Sequence, residues 1–464
     1  MKTLSRRPRL IGLLFLLCLL CASIPAARAA TTFHNPVFGA GADPSVVYSG
    51  GWYYLVQSDG DIHVTRSRTL TGLGSGVRVT VWRHAASGAL CCNIWAPELL
   101  LINGKWYIYF AADDGANANH RMWVIESVGA DPQGGYNAPT RLTPATDRWA
   151  IDATVLRQDN GALYLVWSGW PGTTNVQQNL YIAAMSSPTA LSSDRVLISE
   201  PTNAWERIGG APYINEGPEL IKRNGVITLV YSASGSWTDD YCLGWLTNSD
   251  GNLLNRASWT KSSGCVFSKR DTAYGPGHNS FTTSPDGAES WMLYHANAVA
   301  GSGWNGRSIR AQKFSWNANN TPNFGSPVAT YQWIAAPSGE AARTYEAENA
   351  ALTRATVVTR GDASNGKKVG YIDYADSAVR FTVSVAAAGS YTVTIRYGNG
   401  SGATSSQNLS VNGGAARSIS YPNTGWDNWS SAYADVTLNA GSNTLTFTKG
   451  ANYAELDFIE VFAR

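Results

Sequence analysis

One aromatic-rich run returns five times along this chain, and that recurrence limits the fold more than any other feature. It reads Gly51-Trp-Tyr-Tyr-Leu-Val-Gln-Ser58, Gly104-Lys-Trp-Tyr-Ile-Tyr-Phe-Ala-Ala112, Gly161-Ala-Leu-Tyr-Leu-Val-Trp-Ser-Gly169, Gly225-Val-Ile-Thr-Leu-Val-Tyr-Ser232 and Glu289-Ser-Trp-Met-Leu-Tyr-His-Ala296. The starts lie 53, 57, 64 and 64 residues apart. Each run follows a shorter apolar segment and a turn marked by Gly, Asn-Gly or Asp-Gly. Those segments are Asp43-Pro-Ser-Val-Val-Tyr48, Ala96-Pro-Glu-Leu-Leu-Leu101, Asp152-Ala-Thr-Val-Leu156, Glu216-Gly-Pro-Glu-Leu-Ile221 and His278-Asn-Ser-Phe-Thr282. A strand, a tight turn and a second strand make a hairpin. Five hairpins at this long period predict a radial repeat, a five-bladed β-propeller in an all-β chain.

The polar residues at the strand starts carry the functional signal. Three of the leading segments open with an acid, Asp43, Asp152 and Glu216, and the fifth opens with His278. The second has Ala96-Pro97 there, with Glu98 just beyond. An aspartate before proline or alanine also serves as an ordinary turn residue. Equivalent ends of inner strands converge on the propeller axis, however, so these side chains are expected to meet in one central pocket. Carboxylates brought together shift one another's pKa values and cost stability, which points to function.

With 464 residues the chain has room for two or three domains. Lys2, Arg6, Arg7 and Arg9 precede an apolar run from Leu10 to Ala22, and Ala27-Arg28-Ala29 follows. Residues 1–29 therefore read as a secretory signal peptide, and the apolar run is too short for a good membrane anchor. The remaining chain, expected to be secreted, carries 30 basic and 33 acidic residues. Its basic residues do not cluster, which argues against a nucleic-acid or anionic-membrane partner. The 18 Trp and 22 Tyr supply flat faces that stack on sugar rings, although many must be core. Four cysteines follow the leader, and an even number in an exported chain points to disulfides. Cys242 with Cys265 is the natural pair. Cys91 and Cys92 are adjacent and either bridge each other or stay as two thiols; the bridge is preferred because no other partner remains.

The blades fill residues 30–337, with a polar loop from Trp170 to Asn175 beside one strand end. Residues 338–343 form a short linker. From 344 to 464 the composition turns to Ser, Thr, Ala and Gly, with alternating stretches such as Ala378-Val-Arg-Phe-Thr-Val-Ser-Val385. That pattern predicts a β-sandwich of the jelly-roll kind.

Cleaving an acetal between sugars needs an acid for the leaving oxygen and a carboxylate to activate water or attack. Asp43 suits the ionised role, Glu216 the acid, and Asp152 can raise the acid's pKa by like-charge repulsion. Three acids can also bind a metal, so the trio alone does not identify a glycosidase. Ala42-Asp43-Pro44-Ser45, Trp95-Ala-Pro-Glu98, Ile151-Asp152-Ala-Thr154, Glu216-Gly-Pro-Glu-Leu220, Gly277-His-Asn-Ser-Phe281 and Gly306-Arg-Ser-Ile-Arg310 together resemble the ordered motif set of family 43 glycoside hydrolases, over about residues 33–333. The resemblance implies an inverting enzyme acting on arabinan, arabinoxylan and related polysaccharides. It implies Asp43 as general base, Asp152 as pKa modulator and orienter, and Glu216 as general acid. Trp95, Glu98, His278, Arg307 and Arg310 become substrate-binding candidates, and His278 corresponds to an axial histidine that meets a central ion or water. Each has a plainer reading: a tryptophan between blades, a structural acid, a buried histidine, or strand charges.

Gly275-Pro-Gly-His-Asn-Ser-Phe281, Ser284-Pro-Asp-Gly287 and Tyr294-His-Ala296 are most similar to members described as α-L-arabinofuranosidases. β-Xylosidases and arabinanases share the fold and the acids. The C-terminal stretch, from Tyr345-Glu-Ala-Glu-Asn349 to Glu455-Leu-Asp-Phe-Ile-Glu-Val461, resembles carbohydrate-binding modules of families 6 and 35. There Glu346, Glu348 and Asp457 match the ligands of a structural calcium, as hard oxygen donors should. Tyr397, Trp426, Trp429 and Asn452 are candidates for its sugar site, with one of the two tryptophans expected in the core. The expected function is a secreted, monomeric, exo-acting α-L-arabinofuranosidase on plant cell-wall polysaccharide that needs no cofactor for its chemistry. A β-xylosidase or arabinanase is the near alternative. An inactive polysaccharide-binding protein is the distant one, and the intact acid trio argues against it.

Overall fold

The computed structural model describes residues 32–340, 343–385 and 387–463, so the expected signal peptide lies outside the described residues. Among these residues the helices are 3₁₀ turns of three residues, and no helix is long and apolar enough to cross a membrane. The aromatic runs form the second strand of five antiparallel sheets. Blade 1 is Ala42–Ser49, Trp52–Ser58, Ile62–Ser67 and Val77–Trp82. Blade 2 runs from Cys92–Ile102 to Thr140–Leu142, and blade 3 begins at Ala150–Arg157. Blade 4 begins at Asn215–Arg223, and blade 5 runs from Tyr274–Thr283 to Pro322–Asn323. The sheets are a five-bladed propeller, as the repeat predicts.

Apolar residues alternate along each blade and bury between blades. Tyr109, Leu165 and Trp167 join blades 2 and 3, while Val166, Leu229 and Tyr231 join blades 3 and 4. The ring closes where Thr32–Phe33 pairs antiparallel with Ile334–Ala335. Asn35 reinforces the seam: its side-chain amide donates to the Ala311 carbonyl at 3.0 Å and its oxygen accepts the Ala311 N–H at 2.9 Å.

Every inner strand carries a bulge at the same level. The register slips between Ala42 and Ser45, Trp95 and Glu98, Ile151 and Thr154, Glu216 and Glu219, and Gly277 and Ser280. One residue in each bulge has left-handed backbone: Asp43 (φ +54°), Ala96 (+43°), Asp152 (+58°), Gly217 (+54°) and His278 (+48°). Asp, His and Gly tolerate that conformation, and a bulge re-aims its side chain. Three of these five N–H groups are held by the preceding blade. The acceptors are Ser58 Oγ for Ala96 (2.8 Å), Asp152 Oδ2 for Gly217 (2.9 Å) and Ser232 Oγ for His278 (2.8 Å), while the Asp43 nitrogen lies 3.2 Å from His295 Nδ1. The register corrects one expectation. Glu216 is not in phase with Asp43 and Asp152; Gly217 holds that place, and Glu216 sits one residue earlier, level with Ala42, Trp95 and Ile151.

Residues 343–463 form two facing sheets. One contains Gly389–Asn399, Gly425–Leu438 and Glu455–Ala463; the other contains Ala378–Val385, Ser405–Val411 and Gly441–Lys449. Val379, Phe381, Val393, Ile395, Phe447 and Leu456 fill the space between them. The sandwich rests on blade 1. Tyr433 meets the Trp52 ring edge-on at 4.6 Å, and Arg68 Nη2 donates to Thr392 Oγ1 at 2.8 Å. Glu340, in the expected linker, is buried and accepts hydrogen bonds from Leu70 N–H and Thr71 Oγ1.

Candidate active site

The five bulges open into one cavity of about 870 Å³ on the propeller axis. Asp43, Asp152 and Glu216 all line it, with His278 and Arg307. Asp43 Oδ1 faces His278 Nδ1 at 3.2 Å, His295 Nδ1 at 3.3 Å and Arg307 Nη1 at 3.5 Å, and its Oδ2 accepts from Ser58 Oγ at 2.7 Å. Burial alone would push this carboxyl up, but His278, His295 and Arg307 hold it well below the usual range. Asp43 is therefore the ionised member.

Glu216 has the opposite surroundings. Burial raises it to about 7, the Asp43 charge adds to the rise, and the Tyr241 hydroxyl, donating to Oε1 at 2.9 Å, and Arg307 only partly offset it. Asp152 is raised well above the ordinary value by burial and by the charges of Glu216 and Asp43, against one favourable bond from the Gly217 N–H. Three carboxyls this close cannot all ionise, so the cation-flanked one takes the charge and a proton remains among the others. That arrangement presents a base and an acid in one pocket.

Two glycines make room for it. A Cβ on Gly217 would fall 3.0 Å from His278 Nδ1, and one on Gly277 would fall 2.2 Å from Tyr241 Cε1. The walls are aromatic. Trp95 lines the cavity and stacks on His120 at 4.1 Å; Trp149 lines it and stacks on Trp170 at 5.0 Å. Trp237 and Trp304, edge to face at 6.2 Å, form another part of the wall.

Of the substrate-binding candidates, Trp95, His278 and Arg307 line the cavity. Glu98 does not. It lies two residues beyond the bulge and hydrogen-bonds Glu219, Ser45 and Thr154, which corrects its placing among sugar contacts. Arg310 is also corrected: it is fully buried against Tyr294, with Nη1 donating to the Thr272 carbonyl at 2.7 Å. It lies three positions beyond Arg307, and strand alternation turns the two to opposite faces. Tyr241, His295 and Ser58 were not foreseen. His295 and Ser58 had a signal, since each interrupts an apolar second strand at the bulge level. Tyr241 had none.

In the sandwich, Tyr397 is buried on Tyr421 at 4.6 Å and belongs to the core rather than to a sugar site. Neither tryptophan is core. Trp426 is 40% exposed, and Trp429 lines a cavity of about 480 Å³ facing blade 1. Asn452 is exposed, with Nδ2 donating to the Thr404 carbonyl at 2.8 Å. Glu346 and Glu348 each bury one carboxylate oxygen that has no donor, which suits a hard cation. Asp457 accepts the Ser364 N–H at 2.9 Å and meets Arg396 Nη1 at 3.0 Å. Among the described residues no group of three or more His, Cys, Asp or Glu is spaced to hold an ion. Both expected disulfides are present, Cys91–Cys92 and Cys242–Cys265.

A five-bladed propeller whose axial pocket holds an ionised and a protonated carboxyl between aromatic walls is the arrangement of a glycoside hydrolase. The chain belongs to family 43 of the glycosyl hydrolases, whose profile matches residues 33–322, and a carbohydrate binding module of family 35 matches residues 343–463. It is 40% identical over 323 residues to an extracellular exo-α-(1→5)-L-arabinofuranosidase of Streptomyces avermitilis, covering 66% of each chain. It is 37% identical over 321 residues to α-L-arabinofuranosidase 43 of Humicola insolens, again covering 66% of each. These matches span just under two thirds of the relatives' own length. Among solved structures, an α-L-arabinofuranosidase from Lactobacillus brevis superposes with a TM-score of 0.61 at 35% identity, covering 65% of this chain and 98% of that one.

Proposed function

We propose that this glycoside hydrolase is a secreted, exo-acting α-L-arabinofuranosidase that works by inversion on arabinan or arabinoxylan. The observation that carries the chemistry is the opposed state of two carboxyls in one pocket: Asp43 held ionised by His278, His295 and Arg307, and Glu216 raised to about 7. Asp43 draws a proton from a water, and that water attacks the anomeric carbon from the face opposite the leaving oxygen. Glu216 gives its proton to the leaving oxygen as the bond breaks. Inversion requires a gap of roughly 6.5–9.5 Å between the two carboxyls, room for the water. Asp152 shares the remaining proton with Glu216 and orients the acid's strand by accepting the Gly217 N–H. Trp95, His278 and Arg307 bind the sugar.

The names of the relatives support the arabinose preference and the extracellular setting. The C-terminal module, by its family, holds the enzyme on polysaccharide and raises the local substrate concentration. Within it Glu346 and Glu348, with Asp457, would hold a structural calcium that ties the ends of the sandwich together. An ion on the propeller axis would rest on His278 and water. The chain acts as a monomer.

The test is to assay the mature protein on aryl α-L-arabinofuranoside, aryl β-D-xylopyranoside, linear arabinan and arabinoxylan, with products followed by proton NMR. Arabinose appearing first as the β-anomer is expected. Xylose or arabino-oligosaccharides as the main product would overturn the specificity, and an initial α-anomer would overturn the mechanism.

A further inference from the structure

The Cys91–Cys92 bridge stands at the pocket mouth and has no part in the chemistry above. Cys91 lines the cavity together with the solvent-facing Asp59, Gly60 and His84. Cys92 begins the inner strand of blade 2, four residues ahead of Ala96, which shares the level of Asp43 and Asp152. The strand is bulged here, with Cys92 opposite Asp113 and Trp95 opposite Ala111, so at about 3.3 Å per residue of the partner strand the bridge lies roughly 7–10 Å up-strand of the carboxyl level, beyond the first sugar ring.

The bridge is also held rigidly. Joining adjacent residues closes a small ring through their own peptide bond and leaves neither side chain free to rotate. Asn93 Nδ2 donates to both Asp113 oxygens, at 3.1 and 3.0 Å. Asp113 and His120, both fully buried, lie 3.2 Å apart, and His120 Nε2 meets the Asn93 carbonyl at 3.0 Å. His120 in turn backs Trp95. The strand from the bridge to the pocket wall is thus fastened to blade 2 at every second residue. Trp237 and Trp304 lie on blades 4 and 5, which are not neighbours of blade 2, so the mouth has firm apolar surface on both sides. Sulfur is polarisable and offers no strong hydrogen-bond donor, so it suits the C–H face of a sugar.

We propose that the Cys91–Cys92 bridge is a specificity-determining wall that packs on the sugar unit beyond the one held at the carboxyls. Short aryl glycosides do not reach it; oligosaccharides and polymers do. The inference rests on the glycosidase reading but not on which sugar is released.

The experiment compares a linear α-1,5-arabinotriose with aryl α-L-arabinofuranoside, for the native enzyme and for a C91A/C92A variant, each before and after dithiothreitol. Reduction opens the bridge to two thiols while the dithiothreitol closes to its cyclic disulfide. We expect KM for the trisaccharide to rise about tenfold in the variant and in the reduced native enzyme, with kcat far less changed and KM for the aryl substrate moving much less. Dithiothreitol should add nothing in the variant, which separates this bridge from Cys242–Cys265. Equal losses on both substrates, or none on either, overturn the proposal. Melting temperatures report misfolding, and a C91S/C92S variant repeats the test with different packing. No turnover of any arabinoside by the native enzyme would instead overturn the arabinosidase reading; the same comparison would then be run with xylotriose and aryl β-D-xylopyranoside.

Discussion

Two rings of side chains cross the propeller axis, one above the other, and both contain carboxylic acids. The upper ring, at the bulges, holds Asp43, Asp152 and His278, with Glu216 beside it. The lower ring, two residues further along each inner strand, is Ser45, Glu98, Thr154, Glu219 and Ser280. Glu98 and Glu219 belong to blades 2 and 4, which are not neighbours, so the hydrogen bond between them spans the channel. Glu98 is raised well above its ordinary value by burial and by Glu219, and burial raises Glu219 to about 7. Among the described residues no cation acts on them; Ser45 and Thr154 supply hydroxyls and Leu220 a backbone N–H. They share a proton, which leaves the pair one negative charge instead of two. In the upper ring His278, His295 and Arg307 favour one acid over its neighbours. What separates a reactive site from an inert acid pair is therefore the asymmetry of the partners, not the number of carboxylates.

The largest expected effect breaks that asymmetry directly. Asp43→Asn and Glu216→Gln should each lower kcat on a poor leaving group by about 10²–10⁴-fold, the usual contribution of a general acid or base. Glu98→Gln should leave kcat nearly unchanged, and a loss comparable to Glu216→Gln would erase the distinction between the rings. Next is Gly277→Ala. Its methyl would land 2.2 Å from the Tyr241 ring and push it off Glu216. Overpacking of this kind costs about 1–3 kcal/mol of stability, and turnover should fall with it.

The pH profile gives a smaller and more specific test. Glu216 must be protonated to act, so kcat/KM should fall as pH rises through about 7, while Asp43 stays ionised far to the acid side. Tyr241→Phe removes a bond that lowers Glu216, so the alkaline limb should move to higher pH; a move to lower pH would contradict the assignment. The smallest effect concerns stability. Glu219 is raised to about 7 in the folded state and Glu98 well above its unfolded value, so the stabilisation they carry is complete below about pH 4 and is lost as pH rises, for Glu219 through about 7. Glu98→Gln removes part of that loss. The variant should gain stability relative to the parent between pH 5 and pH 8, on the order of 1 kcal/mol, as read by denaturant melts.

The blades were legible because each aromatic run needs a neighbouring blade to cover it, and that need writes a period into the sequence. The acids were legible as residues, but their phase was not. A bulge adds one residue without any compositional mark, so Glu216 and Gly217 could not be told apart as the left-handed position. Arg307 and Arg310 look alike in sequence, and only the face of the strand separates a pocket residue from a buried one. Tyr397, Trp426 and Trp429 share the same limit: an aromatic residue on an alternating strand declares that it is buried or half-buried, not by what.

The seam at Thr32–Phe33 and Ile334–Ala335 has a consequence for how the chain acquires its shape. The two halves of that pair lie some 300 residues apart, so the loop-closure entropy is met only after the last blade exists. Until then the inner strand of blade 1 lacks the partner that supplies His278, His295 and Arg307. An unclosed ring would carry Asp43 and Glu216 with nothing to tell them apart, so catalytic competence is a property of the closed circle and should appear as the final event of folding.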